Sequence, residues 1–97
     1  RAAAELALDI NPYKSDALYV RGLSLMMQGH LDDAIDSLRQ TTLINPVHSQ
    51  AFHVLSRIYR QQGDRASAVE ALRAAVEAEP DNEDFAAELA VLEAEPD

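Results

Sequence analysis

The sequence contains no cysteine, which excludes disulfides and thiol chemistry and leaves the redox compartment unmarked. It is also short of positive charge. Lys and Arg number 8 against 17 Asp and Glu, for a formal net charge of −9. A nucleic-acid or anionic-lipid surface needs a basic footprint, and this chain does not carry one. No apolar run reaches the length of a membrane span, so no membrane insertion is expected. With 3 glycines there is no glycine-rich loop to cradle a phosphate, and no nucleophile motif appears. The histidines are His30, His48 and His53. His48 and His53 straddle an expected helix start and His30 falls in a turn, so they form no metal-binding pair. Catalytic residues, cofactors and a metal site are therefore not expected.

What the chain does have is Ala, Leu and Glu in quantity and little Thr or Tyr, a composition that favours helix. Its 97 residues amount to one small domain. Charges are mixed through the chain rather than blocked, as in a folded protein. It opens at Arg1, without Met and already inside a helical pattern, which reads as a piece of a longer polypeptide.

The chain is organised around a recurring step. Gln28-Gly29 followed by Ala34 and Leu38 returns as Gln62-Gly63 followed by Ala68 and Leu72. Each copy reads as a glycine turn opening a helix. Pro12, Pro46 and Pro80 punctuate the chain at a constant interval of 34 residues. Residues 15–48 set over 49–82 share nine identities: Ser15/Ser49, Ala17/Ala51, Val20/Val54, Gln28/Gln62, Gly29/Gly63, Ala34/Ala68, Leu38/Leu72, Arg39/Arg73 and Pro46/Pro80. Unrelated segments of this composition would share roughly two or three. Such a period signals a repeat architecture.

Read in order, Leu6 and Ile10 belong to a first helix that Asn11-Pro12 ends. Ser15 is the expected cap of a second helix, Asp16 to Gln28, with Leu18, Gly22 and Leu25 inward. A third, Leu31 to Ile44, turns Leu31, Ala34, Ile35 and Leu38 inward. Its acidic Asp32, Asp33 and Asp36 favour the helix dipole and face solvent. Ser49 is expected to cap a fourth, Gln50 to Gln62, with Phe52, Leu55 and Tyr59 inward. Asp64 should cap a fifth, Arg65 to Ala78, burying Ala68, Val69, Leu72, Ala75 and Val76. The last, Glu83 to Ala94, puts Phe85, Leu89 and Leu92 on one stripe. This is an all-α array of about six antiparallel helices.

Period and residues together resemble the tetratricopeptide repeat (TPR) family. Leu18, Gly22, Leu25, Ala34, Leu38 and Pro46 fill the family's places in one repeat. Phe52, Leu55, Tyr59, Ala68, Leu72, Ala75 and Pro80 fill them in the next, with Ser56 standing for the glycine. Ala4, Ala7 and Pro12 look like the tail of a preceding repeat, and Ala86, Leu89 and Ala90 like the first helix of a following one. The resemblance implies a single domain: a half repeat over 1–14, full repeats over 15–48 and 49–82, and a first or capping helix over 83–97. There are departures. Arg21 stands where the family buries Leu, which implies snorkelling or pairing with an acid. Thr41 and Thr42 replace Ala and Leu, which implies looser packing between the full repeats.

In such proteins helix hairpins stack into a superhelix, and its concave groove, lined by the first helix of each pair, binds peptides or partner helices. The resemblance places Tyr19, Leu23 and Met26 there from one repeat, and Gln50, His53, Arg57 and Arg60 from the next. Asp84, Ala87, Glu88 and Val91 join from the last helix. The first group is an adaptable apolar patch, and Arg57 with Arg60 is a positive spot in an acidic chain. The expected partner is thus a protein or peptide carrying apolar and acidic residues. A carboxylate clamp of the kind some chaperone-binding members use is excluded, because Asp84 and Glu88 stand where it needs bases. The function this implies is a non-catalytic interaction scaffold within a larger protein. Alternatives are a self-assembly module joined through its exposed terminal helices, or the substrate-recognition arm of a transferase or hydroxylase. Cytoplasm and periplasm are both compatible with the sequence.

Overall fold

The computed structural model describes residues 12–95, which hold five α-helices and, among the described residues, no strand. They are α1 (Pro12–Met27), α2 (Leu31–Ile44), α3 (Ser49–Gln61), α4 (Arg65–Ala78) and α5 (Glu83–Ala94). The helix expected over Leu6 and Ile10 lies outside the described residues. The chain divides into two compact units, one ending at Pro46 and the other beginning at Val47.

The first unit is the α1–α2 hairpin. Gly29 has φ 87° and closes α1 with a paired motif: its N–H donates to Met26 O and that of His30 to Leu25 O. A residue with a Cβ is strained in that left-handed conformation, which is why glycine ends the helix. Across the hairpin Ala34 and Leu38 are fully buried, and Leu18 and Leu25 are half-buried. Gly22 is the closest point. A Cβ built there would lie 2.7 Å from Leu38 Cγ and 3.4 Å from Ala34 O, so only a hydrogen fits. Thr41, in an alanine place, is buried and donates its hydroxyl to Ser37 O at 2.9 Å. That local bond satisfies the oxygen inside the core.

The second unit is the α3–α4 hairpin with α5 packed on α4. Gly63, φ 82°, repeats the turn: its N–H donates to Arg60 O and that of Asp64 to Tyr59 O. Ala68, Leu72, Ala75, Phe85 and Leu92 form the core, with Phe52, Tyr59, Val69, Val76 and Leu89 packed against it. Ser56 takes the place of Gly22 and is buried, donating its hydroxyl to Ala68 O at 2.8 Å. The same close approach is thus made with a hydrogen bond in this hairpin and by the absence of a side chain in the other.

Three expectations are corrected. Helix α1 begins at Pro12, so Ser15 sits inside it, fully buried, rather than capping it. Proline suits a first turn because the N–H it lacks would have had no helical partner. Helix α3 begins at Ser49 and is capped by His48, whose Nδ1 accepts from Ala51 N at 3.2 Å. The ring places Nδ1 as far along the side chain as the capping oxygen of Asn or Asp, so it can fill that role. Ser49 instead donates to Glu79 Oε1 at 2.6 Å, tying the start of α3 to the end of α4. Arg21, in the place where the family buries Leu, is exposed. Asp64 does cap α4, its Oδ1 accepting from Ser67 N, and Asn82 caps α5 in the same way.

Two predictions follow from the close contacts and this cap. Ala68→Leu and Gly22→Val should each lower unfolding stability by about 1–3 kcal/mol through overpacking, read by denaturant melts. Unchanged midpoints would reject the packing. The Ser67 hydrogen bonds hold the Asp64 carboxyl below its usual range. A lowered folded-state pKa contributes stability above the unfolded value and loses it as pH falls through the folded one. Asp64→Ala should therefore melt below wild type at neutral pH, with the gap closing as the pH drops below about 4.

Candidate interaction surface

The residues expected to bind divide between the two units. On α1, Tyr19, Leu23 and Met26 are half-buried, with Val20 and Met27 exposed at 59% and 83%. Burial pushes the Tyr19 phenol above its usual pKa, so it stays neutral and acts as a polar tip on an apolar body.

On α3, Gln50, Arg57 and Arg60 are exposed and His53 is half-buried. Side chains of α3 and α5 meet along one face. His53 Nε2 lies 2.8 Å from Glu88 Oε2, and its ring sits against Phe85 with centroids 4.6 Å apart. About two helical turns further along, Arg60 is ion-paired to Glu95. Both pairs are separated by 35 residues in sequence, one repeat length plus one. They form two rungs of a ladder between helices that run in the same direction. Between the rungs, Arg57, Arg60, Gln61 and Glu88 line an open depression of about 420 Å³. Arg57 has no hydrogen-bond or ion-pair partner among the described residues.

The structure therefore gathers Arg57 and Arg60 with Gln61 and Glu88, and leaves Gln50 outside that lining. Glu95 was not singled out by sequence reasoning. The signal that would have found it is the doubled interval of 35, which sets His53 opposite Glu88 and Arg60 opposite Glu95. Asp84, Ala87 and Val91 on α5 are exposed.

The far end of α5 is fastened from α4. Arg65 Nε donates to Leu92 O at 3.1 Å and Arg65 Nη2 to Glu93 O at 2.8 Å, satisfying carbonyls that a helix C-terminus leaves open. Arg73 Nη2 meets Glu93 Oε2 at 2.6 Å. No group of three or more candidate metal ligands occurs among the described residues, and none of their helices is long and apolar enough to cross a membrane.

Tetratricopeptide repeat profiles match residues 49–92 and 16–46, together well over half of the chain. The chain belongs to the tetratricopeptide repeat family. Among solved structures, two crystal structures of MamA superpose with TM-score 0.77 and 22% identity over 84% of this chain. They are matched over 48% and 45% of their own length. A structure of Naa15/Naa10 bound to HypK-THB gives TM-score 0.75 and 28% identity over 95% of this chain and 14% of the other. The chain thus spans less than half the length of each of these solved chains. No match was found among curated protein sequences. Repeats of this family are typically non-catalytic interaction modules, which supports a protein–protein interaction scaffold.

Replacing Arg65 by Met keeps the aliphatic stem and removes the capping donors. Stability should fall by about 1–2 kcal/mol, and amide exchange in α5 should accelerate while the α1–α2 hairpin is unaffected. Unaltered α5 protection would show that Arg65 does not hold the helix end.

Proposed function

We propose that the chain binds a segment of a partner protein that carries apolar and acidic side chains, with Arg57 as the charged anchor. The observation that carries this reading is an exposed arginine that lines the depression and has no acid partner among the described residues, in a protein of net charge −9. Acids outnumber bases about two to one, so an arginine left unmatched beside the matched Arg60 has an open coordination that a carboxylate fits. Gln61 and Arg60 in the same depression supply further donors. The overall charge repels an acidic segment at long range, but beyond about 8 Å it is screened at physiological salt. Selection therefore falls to contacts made inside the depression.

Within the first unit, Tyr19, Leu23 and Met26 fall at helical spacing on α1 and Met27 stands clear of its hairpin, a separate apolar surface. Methionine suits a surface that must adapt to a ligand. A fold neighbour found in a bound complex, Naa15/Naa10 with HypK-THB, is consistent with a role in protein assembly.

A peptide array that varies acidic and apolar content tests the reading against Arg57→Glu, a substitution that breaks no existing pair. Wild type should select peptides that combine both features, and the variant should lose the acidic preference by about tenfold or more while its circular dichroism is unchanged. Equal selection by both proteins would remove Arg57 from the binding surface. Concentration-dependent mass with no peptide bound would favour self-assembly instead.

A further inference from the structure

Glu88 and Glu95 reach across from α5 to the two α3 side chains that an acidic partner would otherwise engage alongside Arg57. A carboxylate placed on Arg60 by the chain itself has the chemistry of the ligand proposed above. We infer that Arg60, which lines the α3–α5 depression, is engaged by the chain itself: Glu95 acts as an internal stand-in for a partner carboxylate, which binds at Arg57 and displaces Glu95 from Arg60. This rests on the acidic-segment reading and adds to it a built-in competitor that sets the threshold for binding.

Displacement is feasible on magnitude. Side chains of Arg60 and Glu95 are 51% and 33% exposed, and ion pairs this open to water have small net worth, so an incoming carboxylate has little to overcome. Releasing Glu95 also leaves α5 in place. Its core contacts Phe85 and Leu92 are 4% and 1% exposed. Arg65 holds the carbonyls of Leu92 and Glu93. Glu95 itself lies past the last helical turn in extended conformation, φ −67° and ψ 139°. Its side chain can leave without unwinding the helix. The other rung is different in kind, because His53 is packed on the Phe85 ring and only 18% exposed. That rung stays closed and frames one side of the depression.

The test measures binding of a fluorescein-labelled peptide of about ten residues, alternating leucine and glutamate, and of its leucine–glutamine twin, by anisotropy. Glu95→Gln is compared with Glu93→Gln. The second variant removes the same unit charge from the same helix end, where the carboxylate pairs with Arg73 rather than with a residue that lines the depression. Glu95→Gln should bind the glutamate peptide about two- to fivefold tighter than wild type, with a smaller gain for Glu93→Gln. If wild type prefers the glutamate peptide but Glu95→Gln gains no more than Glu93→Gln, self-occupation is wrong and the acidic-segment reading survives. If neither wild type nor Glu95→Gln separates the two peptides, both are wrong.

Discussion

Each hairpin depends on one close approach between its two helices. In the first unit Gly22 lets α1 come so near to α2 that a single added carbon would collide with Leu38. In the second, Ser56 makes the equivalent approach and uses its hydroxyl to hold Ala68 O. Ala34 and Ala68, buried completely, complete the seam from the opposite helix. Small residues at these points bring larger ones such as Leu38 and Leu72 into full contact, and van der Waals packing rises steeply as that gap closes. Glycine at positive φ then fixes where each hairpin turns. With seam and turn set, the remaining helix faces can vary without disturbing the fold.

That freedom is visible where the two repeats differ. Arg21 is exposed in the first, while its counterpart Leu55 is buried in the second. His53 and Arg60 replace Tyr19 and Met26 at equivalent positions. One repeat consequently presents an apolar face and the other a charged one. The acids of α5 meet that charged face at an interval one residue longer than the repeat. The ladder they form gives His53 and Arg60 carboxylate partners and leaves Arg57, on the same helix, with none among the described residues. Function in a repeat scaffold resides in such departures from the repeated pattern, because the pattern itself serves packing.

Much of the fold was legible for the same reason. The interval of 34 residues and the recurrent Gly, Ala, Leu and Pro are residues of turn and core, and helices α2, α4 and α5 have the bounds their patterns imply. The helix starts that were misread share a cause. Ser15 and Ser49 are good caps by residue type, yet Pro12 begins α1 and His48 caps α3. Cap propensity is a local preference that tertiary burial and a competing acceptor override, as the full burial of Ser15 and the Ser49–Glu79 bond illustrate. The candidate site was legible in its members more than in its connections. Arg57 and Arg60 stand out as bases in an acidic chain, but their unlike states depend on where α5 lays Glu88 and Glu95. That is a tertiary relation between side chains 35 positions apart, to which helix periodicity is blind.

The central claim is that an acidic segment is received on the α3–α5 face with Arg57 as its anchor. It is tested most directly by following the arginine side-chain Nε–H resonances while an acidic, leucine-containing peptide is titrated in. The account predicts that the Arg57 signal shifts and saturates with peptide, that the Arg60 signal moves with it, and that the Arg39 signal, from the exposed face of α2, stays still. Saturable binding with Arg57 and Arg60 unmoved would contradict it.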